Sequence, residues 1–299
     1  MQDHISRWVN WLTVDKSATT VYGYEFDIRK FVEAVPRASP ADYTLDDLTG
    51  YLATKRRAGL ADASLKRTVA SFRSFFAFHC GVSSPAKSVP FPKVRKRRQR
   101  TLDSGNVLSV LAACDSTSEI GIRDLAILCL LADSGLRAAE LCRLRLSDVD
   151  FARRRLTVIV KGGDEGDGLF SAPTAEYLRR WLEVRARHVA EGTRTLFCSI
   201  GGTTPGQPLT TNGLRVIFRK IGERAGLVKG FSPHDLRRTF ATMALRRGAP
   251  TRVLQEAGRW ENIQQIESYS RDISLDDFEK YLPIDGLLGP GGGGGRVEP

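Results

Sequence analysis

Cysteine is sparse and follows no pairing pattern. The five, Cys80, Cys114, Cys129, Cys142 and Cys198, are odd in number and none stands at C-x-x-C spacing. This argues against both a zinc site and a disulfide framework and suits a reducing cytoplasm. Long apolar runs are missing as well. The longest, "LAILCLLA" at 125–132, is far shorter than the roughly 20 residues that cross a bilayer. The opening "MQDHISRWVNWL" lacks the basic stretch followed by an apolar run that marks a secretory signal. Lysine is scarce too: 11 of the 45 cations are Lys and 34 are Arg. Acidic residues are thin in the first hundred positions, with 9 Asp+Glu against 18 Lys+Arg.

What is present is positive charge. The net charge is +11, of which +9 falls in residues 1–100. A chain this basic is a candidate for binding polyanions, nucleic acid above all. The arginine bias points the same way, because a guanidinium grips phosphate oxygens with two parallel donors and an ammonium cannot.

The periodicity implies a mainly α protein with a small β-sheet in its C-terminal domain. In "TTVYGYEFDIRKFVEAV", Val21, Tyr24, Ile28 and Phe31 recur at helical spacing. In "SLKRTVASFRSFFAFHC", Leu65, Val69, Phe72, Phe76 and Phe78 share a face, with Lys66, Arg67 and Arg73 elsewhere. "TLDDLTGYLATKRRAGL", with Thr44 as N-cap, completes a helical bundle over 1–85. Residues 86–100 read as a linker, ending in the basic cluster Arg95, Lys96, Arg97, Arg98 and Arg100. Such a cluster is usually a solvated tail; between two folded units it equally suits a strap across a phosphate backbone. An α+β domain follows over 101–285, and a Gly-rich tail over 286–299. Within it, "RRLTVIV" and "GLFSAP" flank the turn "KGGDEGD", which predicts a β-hairpin. Helices return at "TAEYLRRWLEVRARHVA", "GLRVIFRKIGERAG", "PHDLRRTFATMALRRG" and "TRVLQEAG".

Three stretches carry chemistry. In "FSPHDLRRTFATMALRRG", Ser232 is an N-cap, Pro233 suits the first helical position and Asp235 completes an acidic first turn. His234 and Arg237 then lie three apart on one face near a positive helix end, as a phosphate site with a proton carrier beside it requires. In "ADSGLRAAEL", Gly135 stops one helix, and Arg137 opens the next with Glu140 three residues on. That pair reads either as an ordinary surface ion pair or as an arginine held by a carboxylate and aimed at phosphate. Lys161 stands at the lip of the hairpin turn and is the only lysine between Lys96 and Lys220. Lysine can give up a proton and arginine practically cannot, so a lone lysine there suits acid chemistry. Finally, "ENIQQIESYSRD" places Tyr269 among polar residues that do not explain it as core.

Arg137, Lys161, His234, Arg237, Trp260 and Tyr269, in this order and spacing, resemble the tyrosine recombinase (phage integrase) family. "SGLRAAEL" looks like its first arginine box, "HDLRRTFAT" like its second, and "GRWENIQQIESY" like its last segment, with Trp260 nine residues before Tyr269. The resemblance covers nearly the whole chain and implies a helical core-binding domain followed by the catalytic domain. It implies a site-specific recombinase of double-stranded DNA, a tetramer on two sites, and no cofactor. Tyr269 would attack a DNA phosphodiester, a step that conserves bond energy in a phosphotyrosine and needs neither ATP nor metal. Arg137 and Arg237 would clamp the non-bridging oxygens, with Glu140 in support, and Lys161 would protonate the leaving 5′ oxygen. His234 would assist proton transfer, and Trp260 would donate a hydrogen bond or buttress the site. Lys66, Arg67, Arg95, Lys96, Arg97 and Arg98 are candidate DNA contacts. The stripe Leu275, Phe278 and Leu282 in "SLDDFEKYLP" suits docking on a neighbouring subunit or in cis.

Two departures from the family pattern stand out. Arg259 separates Gly258 from Trp260, where a Gly-His or Gly-Trp pair is usual. The turn after Lys161 carries Asp164, Glu165 and Asp167, where basic residues are common, which implies a lysine loop that docks only on DNA. Two other readings remain open: a type IB topoisomerase, which shares the chemistry but not the H-x-x-R preference, and a non-catalytic DNA-binding relic. The expected setting is the cytoplasm, on the nucleoid. Target sequence and directionality leave no readable trace, since both depend on a few base contacts and on DNA deformability.

Overall fold

A computed structural model of the protein describes residues 1–93, 100–160, 163–264 and 266. The chain separates into two compact units that divide between Arg97 and Arg98. Arg95, Lys96, Arg97 and Arg98, Lys161, Tyr269, the Leu275–Phe278–Leu282 stripe and the Gly-rich tail lie outside the described residues.

The first unit is a bundle of helices α1 (Gln2–Leu12), α2 (Ala18–Ala34), α3 (Leu45–Arg57) and α4 (Asp62–Cys80). Thr44 caps α3 through a capping box with Asp47, as its spacing predicts. Trp8, Ile28, Phe31, Val69, Phe72, Phe75 and Phe76 are buried together in its core. Tyr24 and Phe78, expected in that core, are only half-buried at its edge. Phe75 takes an interior place instead, edge-on to Trp8 at 5.2 Å between ring centroids. The stretch expected to begin the linker packs on this bundle. Ala86 and Val89 are buried in its core, and Arg73 donates to the Val89 carbonyl at 2.8 Å while lying over the Phe91 ring. Proline ends the helical periodicity there but does not prevent burial, because apolar side chains between the prolines still leave water.

The second unit contains α5 (Ser104–Ala112), α6 (Glu119–Ser134), α7 (Ala138–Arg143), α8 (Ala172–His188), α9 (Thr211–Arg224), α10 (Pro233–Arg246) and α11 (Thr251–Ala257). A three-stranded antiparallel sheet, β1 (Val149–Asp150), β2 (Arg155–Ile159) and β3 (Glu165–Leu169), stands between α7 and α8. The hairpin exists, but its second strand begins inside the segment read as turn. β2 and β3 pair from Arg155 with Leu169 to Ile159 with Glu165. Val160 donates to the Asp164 carbonyl at 2.9 Å, so the turn is shorter than the composition suggests. Ser171, read as strand, is the N-cap of α8. The core runs from α6, with Leu125 to Leu131, through Trp181 of α8 to Phe218 of α9. Cys142 is buried and Cys129 half-buried, and burial pushes the Cys129 thiol up to about 12. Such a thiol is inert at neutral pH. Among the described residues no helix is long and apolar enough to cross a membrane.

Candidate active site

The first turn of α10 is built as its sequence dictates. The Ser232 hydroxyl oxygen accepts from the Asp235 amide, and the Asp235 carboxylate accepts from the Ser232 amide at 2.9 Å. This capping box fixes the helix start and so the direction of His234 and Arg237. Arg237 is 3% exposed. Its Nη2 donates to the Gly258 carbonyl at 2.6 Å and its Nη1 to the Gly135 carbonyl. The Trp260 ring lies against the guanidinium, 4.4 Å from centroid to Cζ. His234 reaches solvent. Enough protein surrounds its ring for desolvation, followed by the charges of Arg238 and Arg237, to lower its pKa from the ordinary value. The imidazole is therefore neutral at pH 7, able to accept a proton on one nitrogen and donate from the other.

Gly135 ends α6 with φ +57°. A Cβ there would lie 2.4 Å from the Phe240 ring, so the position needs glycine on both counts. Arg137 follows as the N-cap of α7, and its backbone amide donates to Glu140 Oε2 at 2.8 Å. Its Nη1 donates to Glu140 Oε1 at 2.7 Å and its Nη2 to the Arg259 carbonyl at 3.2 Å. Glu140 is only 7% exposed, so this is no ordinary surface pair. The carboxylate is buried, while Arg137 keeps 38% of its side chain exposed toward solvent.

The two arginines thus converge on consecutive carbonyls of one turn, those of Gly258 and Arg259. Trp260 anchors that turn. It is 5% exposed, stacks on Phe240 with 6.2 Å between centroids, and packs with Ala241, Leu254 and Ile266. Gly258 is required, because a Cβ would fall 1.7 Å from the indole. The side chain between them, Arg259, runs back beneath the site. Its Nη1 donates to the Asp167 carbonyl of β3 at 2.8 Å, and its Nη2 donates to the Ser134 carbonyl at 3.0 Å and lies 3.6 Å from Glu140 Oε2. Sequence reasoning marked Arg259 only as a departure from pattern. The unexpected cation at a glycine position was the available signal.

Of the residues singled out in the sequence, the structure brings together Arg137, Glu140, His234, Arg237 and Trp260. Lys161 and Tyr269 lie outside the described residues, although Val160 and Gly163 on either side of the lysine turn are within them. Asp164, Glu165 and Asp167 face solvent. Lys66 and Arg67 are on α4 of the first unit. Lys66 is exposed, whereas Arg67 grips the buried Asp27 with Nε at 2.9 Å and Nη2 at 2.8 Å. Arg67 therefore neutralises an interior carboxylate.

Arg237→Ala is expected to destabilise the second unit by about 2–3 kcal/mol, because the Gly135 and Gly258 carbonyls lose their donors. The shift in the midpoint of a urea titration followed by tryptophan fluorescence measures it. An unchanged midpoint would show that water replaces the guanidinium at no cost.

A buried arginine and a more exposed one held by one turn, with a neutral histidine beside them, make a site for a negatively charged, tetrahedral group. Comparison with known proteins agrees. The model of the phage integrase family matches residues 100–274, and that of the phage integrase N-terminal SAM-like domain matches residues 5–80. Tyrosine recombinase XerD of Listeria innocua is 30% identical over 297 residues, covering 95% of this chain and 99% of the relative. Tyrosine recombinase XerC of Corynebacterium efficiens is 34% identical over 286 residues, covering 91% and 88%. Among solved structures, a lambda integrase tetramer bound to a Holliday junction superposes with a TM-score of 0.69 at 19% identity, over 90% of this chain and 76% of that one. The family match spans both units of the fold and includes both arginine-bearing segments; the chain belongs to the phage integrase family of tyrosine recombinases.

Proposed function

We propose that this protein is a site-specific DNA recombinase that cleaves and rejoins strands through a covalent 3′-phosphotyrosine. The observation that carries the reading is the convergence of Arg137 and Arg237 on the carbonyls of Gly258 and Arg259. Held this way, the guanidiniums need little reorganisation when charge builds on the non-bridging oxygens. Glu140 keeps Arg137 aimed. Trp260 covers Arg237. His234 moves a proton at the scissile phosphate or the attacking phenol. Tyr269 is the nucleophile, nine residues after Trp260 in the chain. Lys161, at the hairpin turn, is the acid for the leaving 5′ oxygen. The helical first unit serves as the core-binding domain, residues 101–285 as the catalytic domain, and the basic stretch between them as a strap on DNA. The lambda integrase tetramer on a Holliday junction supports the same assembly for this chain, a tetramer on two sites. The chain's place of work is the cytoplasm, on the nucleoid.

The decisive experiment is a nicked suicide substrate carrying the target site. Cleavage releases a short strand and leaves the protein covalently on the 3′ phosphate, visible as a shifted band under denaturing conditions. No adduct under conditions of specific binding would leave a DNA-binding protein without strand chemistry. Efficient relaxation of supercoils without a partner site would favour the topoisomerase reading.

Affinity is expected to fall steeply with salt, because each phosphate neutralised on duplex DNA contributes about −0.9 to the slope of log K against log salt. Lys66→Ala should weaken binding to all sequences alike and reduce that slope by about one. A slope identical to wild type would remove Lys66 from the interface. Arg67→Ala should instead lower stability, since it leaves the buried Asp27 with Ser71 as its described hydrogen-bond partner.

A further inference from the structure

Arg259 occupies a backbone conformation that favours glycine. Its φ is +55°, and Arg154 is the only other non-glycine residue with positive φ among those described. A side chain is disfavoured there by contact with the following carbonyl, which glycine avoids. The arginine side chain is 5% exposed, so it is screened from any phosphate that Arg137 could reach. Its guanidinium is engaged inside the protein, on the Asp167, Ala257 and Ser134 carbonyls and beside Glu140.

The strand it touches is shaped to receive it. A Cβ at Gly166 would lie 3.0 Å from Arg259 Cδ, and one at Gly168 would lie 3.4 Å from Arg259 Nη1. Glycine weakens a strand, and a pair of them facing one side chain marks a slot. Arg259 therefore adds a polar link between parts that already share the apolar core. Its carbonyl accepts from Arg137, and its guanidinium holds β3. β3 also pairs with β2, whose chain continues through Val160 toward the turn.

We infer that Arg259 is a positioning residue that fastens the β2–β3 hairpin to the Arg137–Glu140 pair and so sets where the hairpin turn stands relative to the scissile phosphate. This rests on the reading of Lys161 as the acid at that turn. The residue acts through its neighbours and touches no reacting atom.

The test uses the full chain on a suicide substrate and on the same substrate with sulfur in place of the scissile 5′ oxygen, whose thiolate leaves without a proton. Arg259→Gly keeps the backbone at ease and removes the whole side chain, guanidinium included. It should retain site affinity and slow cleavage of ordinary DNA by about 10–100-fold, the scale of a small misplacement of a catalytic group. The sulfur substrate should recover most of that loss. Arg259→Lys, which keeps a charge near Glu140 and can reach one carbonyl, should fall between the two. Amide hydrogen exchange in Arg259→Gly should quicken at Val158 and Gly166 and stay unchanged in α6 and α10. Equal losses on both substrates, or unaltered exchange in the hairpin, would overturn the inference. Lys161→Ala on the same two substrates separates the layers. If sulfur fails to rescue it, Lys161 is not the acid, and exchange alone then decides whether Arg259 fastens the hairpin. If sulfur rescues Lys161→Ala but not Arg259→Gly, the inference fails and the acid stands. Should Arg259→Gly bind DNA poorly, Arg259→Lys carries the same comparison.

Discussion

Tyr269→Phe is expected to bind the target site as wild type does and to form no covalent adduct at all. The substitution removes one oxygen and nothing else, so packing and phosphate contacts persist while the attacking atom is gone. The polar surroundings of Tyr269, with Ser268 and Ser270 beside it and Glu267, Arg271 and Asp272 close by, do not require an aromatic ring for burial. The hydroxyl is then the reason for the residue. A phenol serves here because the phosphotyrosine it forms is itself a good leaving group, which lets a strand hydroxyl reverse the reaction. A gel-shift titration and a suicide-substrate time course on the same preparation give both readouts. Cleavage near the wild-type rate would exclude Tyr269 as nucleophile and direct attention to another hydroxyl.

Lys161→Arg is expected to slow cleavage of ordinary DNA by about 10²–10⁴-fold, the usual worth of general acid catalysis. The charge is kept, so a phosphate anchor would survive the change with modest loss. A guanidinium holds its proton too tightly to protonate an alkoxide as it leaves. The loss should shrink greatly when sulfur replaces the leaving oxygen. Equal losses on the two substrates would return Lys161 to a turn residue that touches phosphate. Asp164 and Glu165, at the same turn, face solvent.

Local signals made much of this molecule readable before its structure. Ser232, Pro233 and Asp235 announce the start of α10 because a helix end satisfies its own amides within four residues. Gly135 announces the end of α6 because a left-handed residue is needed there. Once those two ends are placed, His234, Arg237 and Arg137 follow. What stayed hidden depends on distant partners. Arg259 reaches Asp167 across 92 positions and Ser134 across 125, and no window of sequence contains those pairs. The start of β3 was misplaced for the same reason. Gly166 looks like a turn residue until the arginine that lies over it is seen. Arg67 looked like a free cation on α4 because its partner Asp27 is 40 positions away on α2. Glu140 is the intermediate case: its spacing from Arg137 is visible, and its burial is not.

The sharing of the buried Glu140 carboxylate by Arg137 and Arg259, with Arg237 on the neighbouring carbonyl, also bears on how folding and binding are linked. The cations lie close together, and burial already lowers the Arg259 pKa. Like charges held close raise the free energy of the folded chain, and an arriving anion lowers it again. A ligand that binds only the folded form stabilises by RT ln(1 + [L]/Kd). Cognate DNA should therefore raise the melting temperature of the second unit, and inorganic phosphate should do so weakly. Neutralising one cation should narrow both shifts. A site of this kind would draw part of its grip on phosphate from repulsion already present in the free protein.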